Sequence, residues 1–245
     1  MLRTENEIIS NWKGGKKKPL VSVCCTAYNH ESYIEDAIKG FLIQETDFPF
    51  EILIHDDAST DNTANIIREY EKLYPNIIKV IYQKENQYSQ GKRIIPIAAR
   101  YCSGEFVALC EGDDYWISPL KLQQQYEALI EHPNIDICFT AAFGEDARSK
   151  QRRKFCNYAD EVKIFSLSEI VRGGGGFMPT ASLMIRSAIF DKLPDWYNNA
   201  PVGDYYLQIL SSIKGGAIYL PLTSCVYRTN AVGSWTLRQK KLDKI

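Results

Sequence analysis

Histidine is scarce in this chain: three in 245 residues, at positions 30, 55 and 132, with no pair at metal-ligand spacing. That argues against a zinc centre. The seven cysteines, at 24, 25, 102, 110, 138, 156 and 225, form no C-x-x-C. Most lie in apolar runs such as VSVCC, DICF and TSCVY, so they read as reduced core thiols of a cytosolic protein. No apolar run is long enough to span a bilayer, and the opening MLRTENEIIS has no signal-peptide pattern. Neither sign of charge is in excess. Lys and Arg number 29 against 30 Asp and Glu, a net charge of -1, which offers no global attraction to nucleic acid. The GGGG run at 173–176 lacks the Gly-Lys-Ser/Thr ending of a phosphate loop and the strand-to-helix setting of a dinucleotide fingerprint. A short basic run, Lys16 to Lys18, reads as a solvated tail. Its sharper alternative is a weak peripheral contact with anionic headgroups at the inner face of a membrane.

What is present is a rhythm. After a polar lead-in over residues 1–18, apolar strand-like runs alternate with helical periods. LVSVCCTAY (20–28), EILIH (51–55), IIKVIY (77–82), EFVALC (105–110) and IDICFT (135–140) read as strands. Between the first two, Ser32 and Glu35 have capping-box spacing, ahead of apolar residues recurring at helical period from Tyr33 to Leu42. A second helix runs from Ala64 to Tyr74 and stops at Pro75. Residues 92–102 can form a third. Ser118 and Pro119 suit the start of a fourth, which runs to about His132. Alternation with short connections predicts an α/β fold with a mostly parallel sheet. The second half is less regular. Residues 141–165 are charged and loop-like, 181–186 is a strand, 204–214 is a helix closed by Gly215, and AIYLP and TSCVYR are two late strands, of antiparallel type. LRQKKLDKI can start another helix.

Ligands of parallel sheets bind beyond the C-terminal strand ends, and the polar clusters sit there: TAYN after the first strand, DDAST after the second, EGDD after the fourth. Glu111, Asp113 and Asp114 follow an apolar run directly. Like charges that close resist burial unless a cation sits among them. Adjacent carboxylates at a strand end can bind a hard divalent cation and so neutralise a diphosphate; a solvated acidic turn is the plainer alternative. Asp56 and Asp57 form a second acidic pair, able to accept from a base or ribose, while Ser59, Thr60 or Asp61 caps the next helix. Tyr28 suits stacking on a base and a core position alike. Asp204, in PVGDYYL, suits a helix N-cap, a general base at a helix start, or both.

The order and spacing of VSVCCTAYNHESYIEDAIKGFLIQ, EILIHDDASTDNT and the strand ending in EGDD resemble glycosyltransferase family 2, over residues 19–235. The resemblance implies a GT-A, Rossmann-like fold: a mostly parallel central sheet flanked by helices, with a smaller mixed or antiparallel acceptor-side part. It implies one domain over 19–235, with a nucleotide-sugar-binding half (19–140), an acceptor-binding half (141–235) and a tail at 236–245. It further implies that Thr26, Ala27 and Tyr28 bind the nucleotide, that Asp57 contacts the base, and that Asp113 and Asp114 match the acidic DxD-type motif that binds the sugar-nucleotide and its Mg²⁺ or Mn²⁺. Glu111 stands where many members have the first Asp. Asp204 matches the catalytic base, and Thr180 and Ser182 a stretch near the acceptor, with Trp235 also on that side. YRTNAVGSW resembles a closing loop that often carries a His, and here Asn230 occupies that region. The expected activity is inverting transfer of a sugar from a nucleoside diphosphate sugar, of uridine type, to a hydroxyl of a glycan or lipid-linked acceptor in surface polysaccharide synthesis. Two alternatives are a sugar nucleotidyltransferase, which would want a Gly-rich basic loop where TAYNHES stands, and a non-catalytic sugar-nucleotide-binding protein. A two-carboxylate hydrolase is disfavoured by the base-binding cluster.

Overall fold

The computed structural model describes residues 2–13, 15 and 18–232. The elements in chain order are α1 (Glu5–Ser10), β1 (Val21–Ala27), α2 (Ile34–Leu42), β2 (Phe50–Asp56), α3 (Thr63–Leu73), β3 (Ile78–Tyr82), α4 (Ile94–Ala99), β4 (Phe106–Glu111), β5 (Tyr115–Trp116) and α5 (Lys121–Glu131). The second half adds β6 (Ile137–Asp146), β7 (Arg152–Phe155), β8 (Lys163–Phe165), α6 (Leu167–Gly173), β9 (Met184–Arg186), α7 (Gly203–Ser212) and β10 (Ala217–Thr229). One sheet runs β3-β2-β1-β4-β9-β6-β10-β5, with β7 beside β6 and β8 beside β10. The first four neighbours are parallel, as the strand–helix alternation requires. β2 is buried along its whole length and β1 nearly so. That is why both lack the alternation of a half-exposed strand. β9 enters antiparallel between β4 and β6, and the sheet then continues as the mixed part.

Several local expectations are corrected. The segment read as a polar lead-in holds α1, capped by a Thr4–Glu7 capping box. It is packed down by buried Ile8 and Trp12, the latter edge-on to Phe50. Ser32 does not cap α2. That helix follows Tyr33 without a side-chain cap, and the Glu35 carboxylate instead accepts from the Tyr70 hydroxyl at 2.9 Å. Helix α5 begins at Lys121, not at Ser118. Gln44, far away in sequence, receives the Leu122 N–H at 3.1 Å and donates to the Ser118 carbonyl at 2.8 Å. Residues 141–165 are not a loop: β6 continues to Asp146 and returns as β7. The two late strands are one, β10, parallel to β6 and antiparallel only to β5 and β8. Its register slips next to Pro221, which has no N–H to give the ladder. The 180–182 stretch is a 3-10 turn ahead of β9. Gly215 stands three residues beyond α7, with a φ of 77°.

Lys121 is fully buried, its ammonium 4.2 Å from the centre of the Trp116 ring and 2.6 Å from Gln125 Oε1. Burial pushes its pKa down to about 8, against a smaller pull from nearby Cys225, Cys110 and Cys138. Between about pH 8 and the ordinary lysine value the unfolded chain holds a proton that the folded one lacks. Stability from this group therefore rises with pH across that window. Against Lys121→Met, the wild type should gain up to about 3 kcal/mol over that interval. Urea unfolding of both proteins at neutral and alkaline pH checks it. The buried thiols, which pull the other way, are common to both. A pH-independent difference would refute the assignment.

Candidate active site

The C-terminal ends of β1, β2 and β4 open on a cleft of about 510 Å³, closed on the far side by α7 and the 173–180 segment. Thr26, Ala27 and Tyr28 line it from β1. The loops after β1 and β2 are tied to each other. The Asn29 N–H donates to Ser59 Oγ at 2.9 Å, the His30 N–H to Thr63 Oγ1 at 2.8 Å, and Asn29 Oδ1 accepts from the Thr60 N–H at 2.8 Å. Asp61 accepts the Thr63 N–H at 2.9 Å, so of the three capping candidates it is the one that serves the start of α3. Asp57 is buried at the cleft floor. Its two oxygens accept the Gln87 and Tyr88 N–H groups at 2.8 and 3.0 Å, which fixes the carboxylate's orientation.

The acidic turn sits against β1. The Gly112 N–H donates to the Thr26 carbonyl at 2.9 Å. A side chain at 112 would meet His30 Nδ1 and Ile34 Cδ1, both at 2.9 Å, so only glycine lets the turn approach this closely. Glu111 and Asp113 face the cleft; Asp114 is not on its wall. Asp114 is 1% exposed, its Oδ1 accepts the Arg228 N–H at 2.7 Å, and its Oδ2 is buried without a hydrogen-bond partner among the described residues. His30 Nε2 lies 4.0 Å from Asp113 Oδ1. Burial, then the charges of Asp204 and Asp113, push Glu111 well above the usual carboxylate range. Burial, then Asp113 and Glu111, do the same to Asp114, against a weaker pull from Arg228.

Asp204 lies in the first turn of α7, one residue inside the helix rather than at its N-cap, which is Val202. Thr180 Oγ1 donates to its Oδ2 at 3.4 Å. Burial raises its pKa, while Thr180 and the positive charge of Arg93 pull it back down. Thr180 lines the cleft; Ser182 does not, being fully buried with its hydroxyl donating to the Pro179 carbonyl at 2.7 Å. Trp235 lies outside the described residues. Asn230 has a φ of 57° and donates to Asp146 Oδ2 at 2.6 Å, so the hairpin after β6 uses its side chain.

Two arginines were missed in the sequence. Arg93 lines the cleft beside Gly203, donates to the Ala200 carbonyl, and has a buried Nε without a hydrogen-bond partner among the described residues. Arg228, 4% exposed, lies behind the acidic turn. It donates to the Asp113 carbonyl at 2.9 Å and to the Asp36 carboxylate, and lies 3.8 Å from Glu145. Its guanidinium sits 4.3 Å from the centre of the Tyr115 ring and 5.2 Å from that of Tyr33. A signal existed: a lone cation in the otherwise apolar and hydroxyl-bearing run TSCVYRT.

No three His, Cys, Asp or Glu side chains among the described residues form a metal cage by themselves. The donor set still fits a hard cation. Mg²⁺-type ions are held by one or two carboxylates together with substrate phosphates. Asp113 offers such a group to the cleft, while Asp114 is buried off its wall.

This sheet, with its strand-end cleft, is the GT-A arrangement of nucleotide-sugar glycosyltransferases. It superimposes on Staphylococcus aureus TarS 1–349 in complex with UDP with a TM-score of 0.65 at 21% identity, covering 85% of this chain and 60% of that one. The mannosyltransferase PcManGT from Pyrobaculum calidifontis, in complex with GDP-Man and Mn²⁺, matches with a TM-score of 0.66 at 18% identity, covering 92% of this chain and 61% of that one. The model of glycosyl transferase family 2 matches residues 22–193, and the chain belongs to that family. An uncharacterised protein of Mycobacterium tuberculosis is 36% identical over 220 residues, 88% of this chain and 60% of the relative. This chain therefore spans about 60% of that relative's length. The poly(ribitol-phosphate) beta-N-acetylglucosaminyltransferase TarS of Staphylococcus aureus is 30% identical over 148 residues, 59% of this chain and 25% of that protein. Among the described residues no helix is long and apolar enough to cross a membrane.

Proposed function

We propose that this chain transfers a sugar, with inversion, from a nucleoside diphosphate sugar of uridine type to a hydroxyl of a glycan or lipid-linked acceptor in surface polysaccharide synthesis. The observation that carries the reading is that Asp57, Asp113 and Asp204, from three separated segments, line one cleft together with Thr26, Ala27 and Tyr28. The division of labour follows the two halves: residues 19–140 take the donor and 141–235 the acceptor, on the cytoplasmic side. Asp57 orients the nucleoside and Tyr28 offers a ring to the base. The anomeric carbon–oxygen bond to the diphosphate breaks as the acceptor oxygen bonds to the same carbon from the opposite face, and the acceptor proton passes to Asp204. Asp113 would hold a Mg²⁺ or Mn²⁺ on the cleft wall, which when bound supplies positive charge at the leaving diphosphate; Asp114, expected from the sequence as a second ligand, is turned away from the cleft. Arg93 places a second positive charge on the cleft wall. TarS and PcManGT, by their names and the ligands named with them, use such donors.

The test is a thermal-shift panel of uridine, guanosine, cytidine and thymidine diphosphates, each with and without Mn²⁺. A nucleotide at about a hundred times its Kd should stabilise the fold by about 2.7 kcal/mol. One base should shift the melt, and only with metal. A melt that no nucleotide moves would overturn the reading.

A further inference from the structure

The hairpin joining β6 to β7 carries Arg148, Lys150, Arg152, Arg153 and Lys154, five cations within seven residues of a chain whose net charge is -1. All five are exposed. Glu145 engages two of them, Arg152 Nε at 2.7 Å and Lys150 at 3.7 Å. Arg148, Arg153 and Lys154 have no carboxylate within ion-pair distance among the described residues. The hairpin is well held. Asp146 Oδ1 accepts the Arg148 and Ser149 N–H groups, both at 2.9 Å, and Arg152 Nη2 also reaches the Tyr115 hydroxyl at 2.5 Å.

Register places part of this charge on the cleft side. Phe155 and Tyr227 line the cleft. Arg153 lies two residues before Phe155, and pairs across the sheet with Gly144, which in turn pairs with Tyr227. Residues opposite one another, or two apart on a strand, share a face. Arg153 therefore extends the aromatic wall outward by about 7 Å, and the glycine at 144 leaves the strip between it and Tyr227 without a side chain. Strand order puts β6 and β7 on the opposite side of the cleft from β1 and β2. The cleft itself presents the four carboxylates of Asp57, Glu111, Asp113 and Asp204 against the two cations Lys92 and Arg93, and the excess of carboxylates disfavours an anionic chain unless further cations at the mouth offset it.

Building on the transferase reading, we infer that the β6–β7 hairpin is the docking surface for a polyanionic acceptor, a glycan or polyol chain joined by phosphodiesters. Arg153, with Arg148 at the turn, takes phosphates of the chain while one of its hydroxyls reaches Asp204; Lys154 alternates onto the other face of β7. The test compares wild type with the double variant Arg148→Gln, Arg153→Gln. The probes are a fluorescein-labelled poly(glycerol phosphate) oligomer, a neutral dextran oligomer, and phosphatidylcholine vesicles with and without phosphatidylglycerol. The wild type should bind the phosphate oligomer and not the dextran. The variant should bind it about fivefold more weakly, as expected for two exposed charge contacts, while its nucleotide-induced melting shift matches wild type. Equal oligomer binding by the two proteins overturns the inference. So does a variant that loses only the phosphatidylglycerol vesicles, which would make the hairpin a membrane contact. Failure of the transferase reading registers separately, as a melt that no nucleotide shifts in either protein, and takes the acceptor role with it.

Discussion

Asp204→Asn should lower the rate of sugar transfer by about a thousandfold, within the usual range for loss of a general base, and leave the nucleotide-induced melting shift in place. The change is close to isosteric. The amide oxygen can still accept from Thr180 Oγ1, so the first turn of α7 keeps its contact. What disappears is the group that, in the proposed reaction, takes the acceptor proton. A second consequence separates this from general damage. The ionised form of Asp204 is costly to bury, because burial raises its proton affinity and its charge in turn pushes Glu111 up. At neutral pH the neutral amide removes that cost, so the variant should melt above wild type, as often happens when a strained active-site charge is deleted. Transfer by the wild type should fall on acidification at a pH above that of an ordinary carboxylate, since the protonated acid cannot act as a base. Initial rates with a labelled donor, alongside melting curves, read all three. Turnover within a few fold of wild type would refute the base assignment.

Arg228→Met should both destabilise the fold and disable the donor site. The methionine can fill the space of the stem, but the guanidinium is what bridges the Asp36 carboxylate, the Asp113 carbonyl and the neighbourhood of Glu145 between two tyrosine rings. Removing one partner of a buried charge cluster costs about 3–5 kcal/mol; Glu145 retains Arg152, which places the expectation near about 3 kcal/mol. For a chain of this size that is a fall of about 6–12 °C in Tm. Without the guanidinium the acidic turn loses a buried charged anchor, so the metal-dependent nucleotide shift should shrink or vanish. Arg228→Lys should not restore it, because an ammonium cannot present the planar fork that several acceptors and two ring faces share here. A variant that melts with wild type and still responds to nucleotide plus Mn²⁺ would show that Arg228 is a bystander.

The arginine bears on the acidic turn through its backbone. The guanidinium holds the Asp113 carbonyl and the Arg228 N–H meets Asp114, while burial and mutual repulsion still push Glu111 and Asp114 well above the usual carboxylate range. Arg228 comes from β10, more than a hundred residues away. The sequence showed the need for a cation, and the cleft leaves room for a second one in front. The same holds for α5. Its start is set by Gln44 reaching across from the end of α2, and no local propensity at Ser118 could reveal that.

By itself the sequence determined the parallel half of the sheet. Continuous apolar runs in β1, β2 and β4, separated by helical periods, admit few other arrangements. It also determined which polar clusters lie at the strand ends, and so Thr26, Ala27, Tyr28, Asp57 and Asp113 as one group. Tertiary structure decided the rest. Asp114 and Ser182 turn into the protein while their neighbours Asp113 and Thr180 face the cleft, because orientation on a short turn depends on which distant partner claims each side chain. The mixed half of the sheet, with its long β10 and the charged β6–β7 hairpin, was illegible locally. Its strands are held by pairing with remote segments, and an exposed strand rich in arginine and lysine has no periodicity that distinguishes it from a loop.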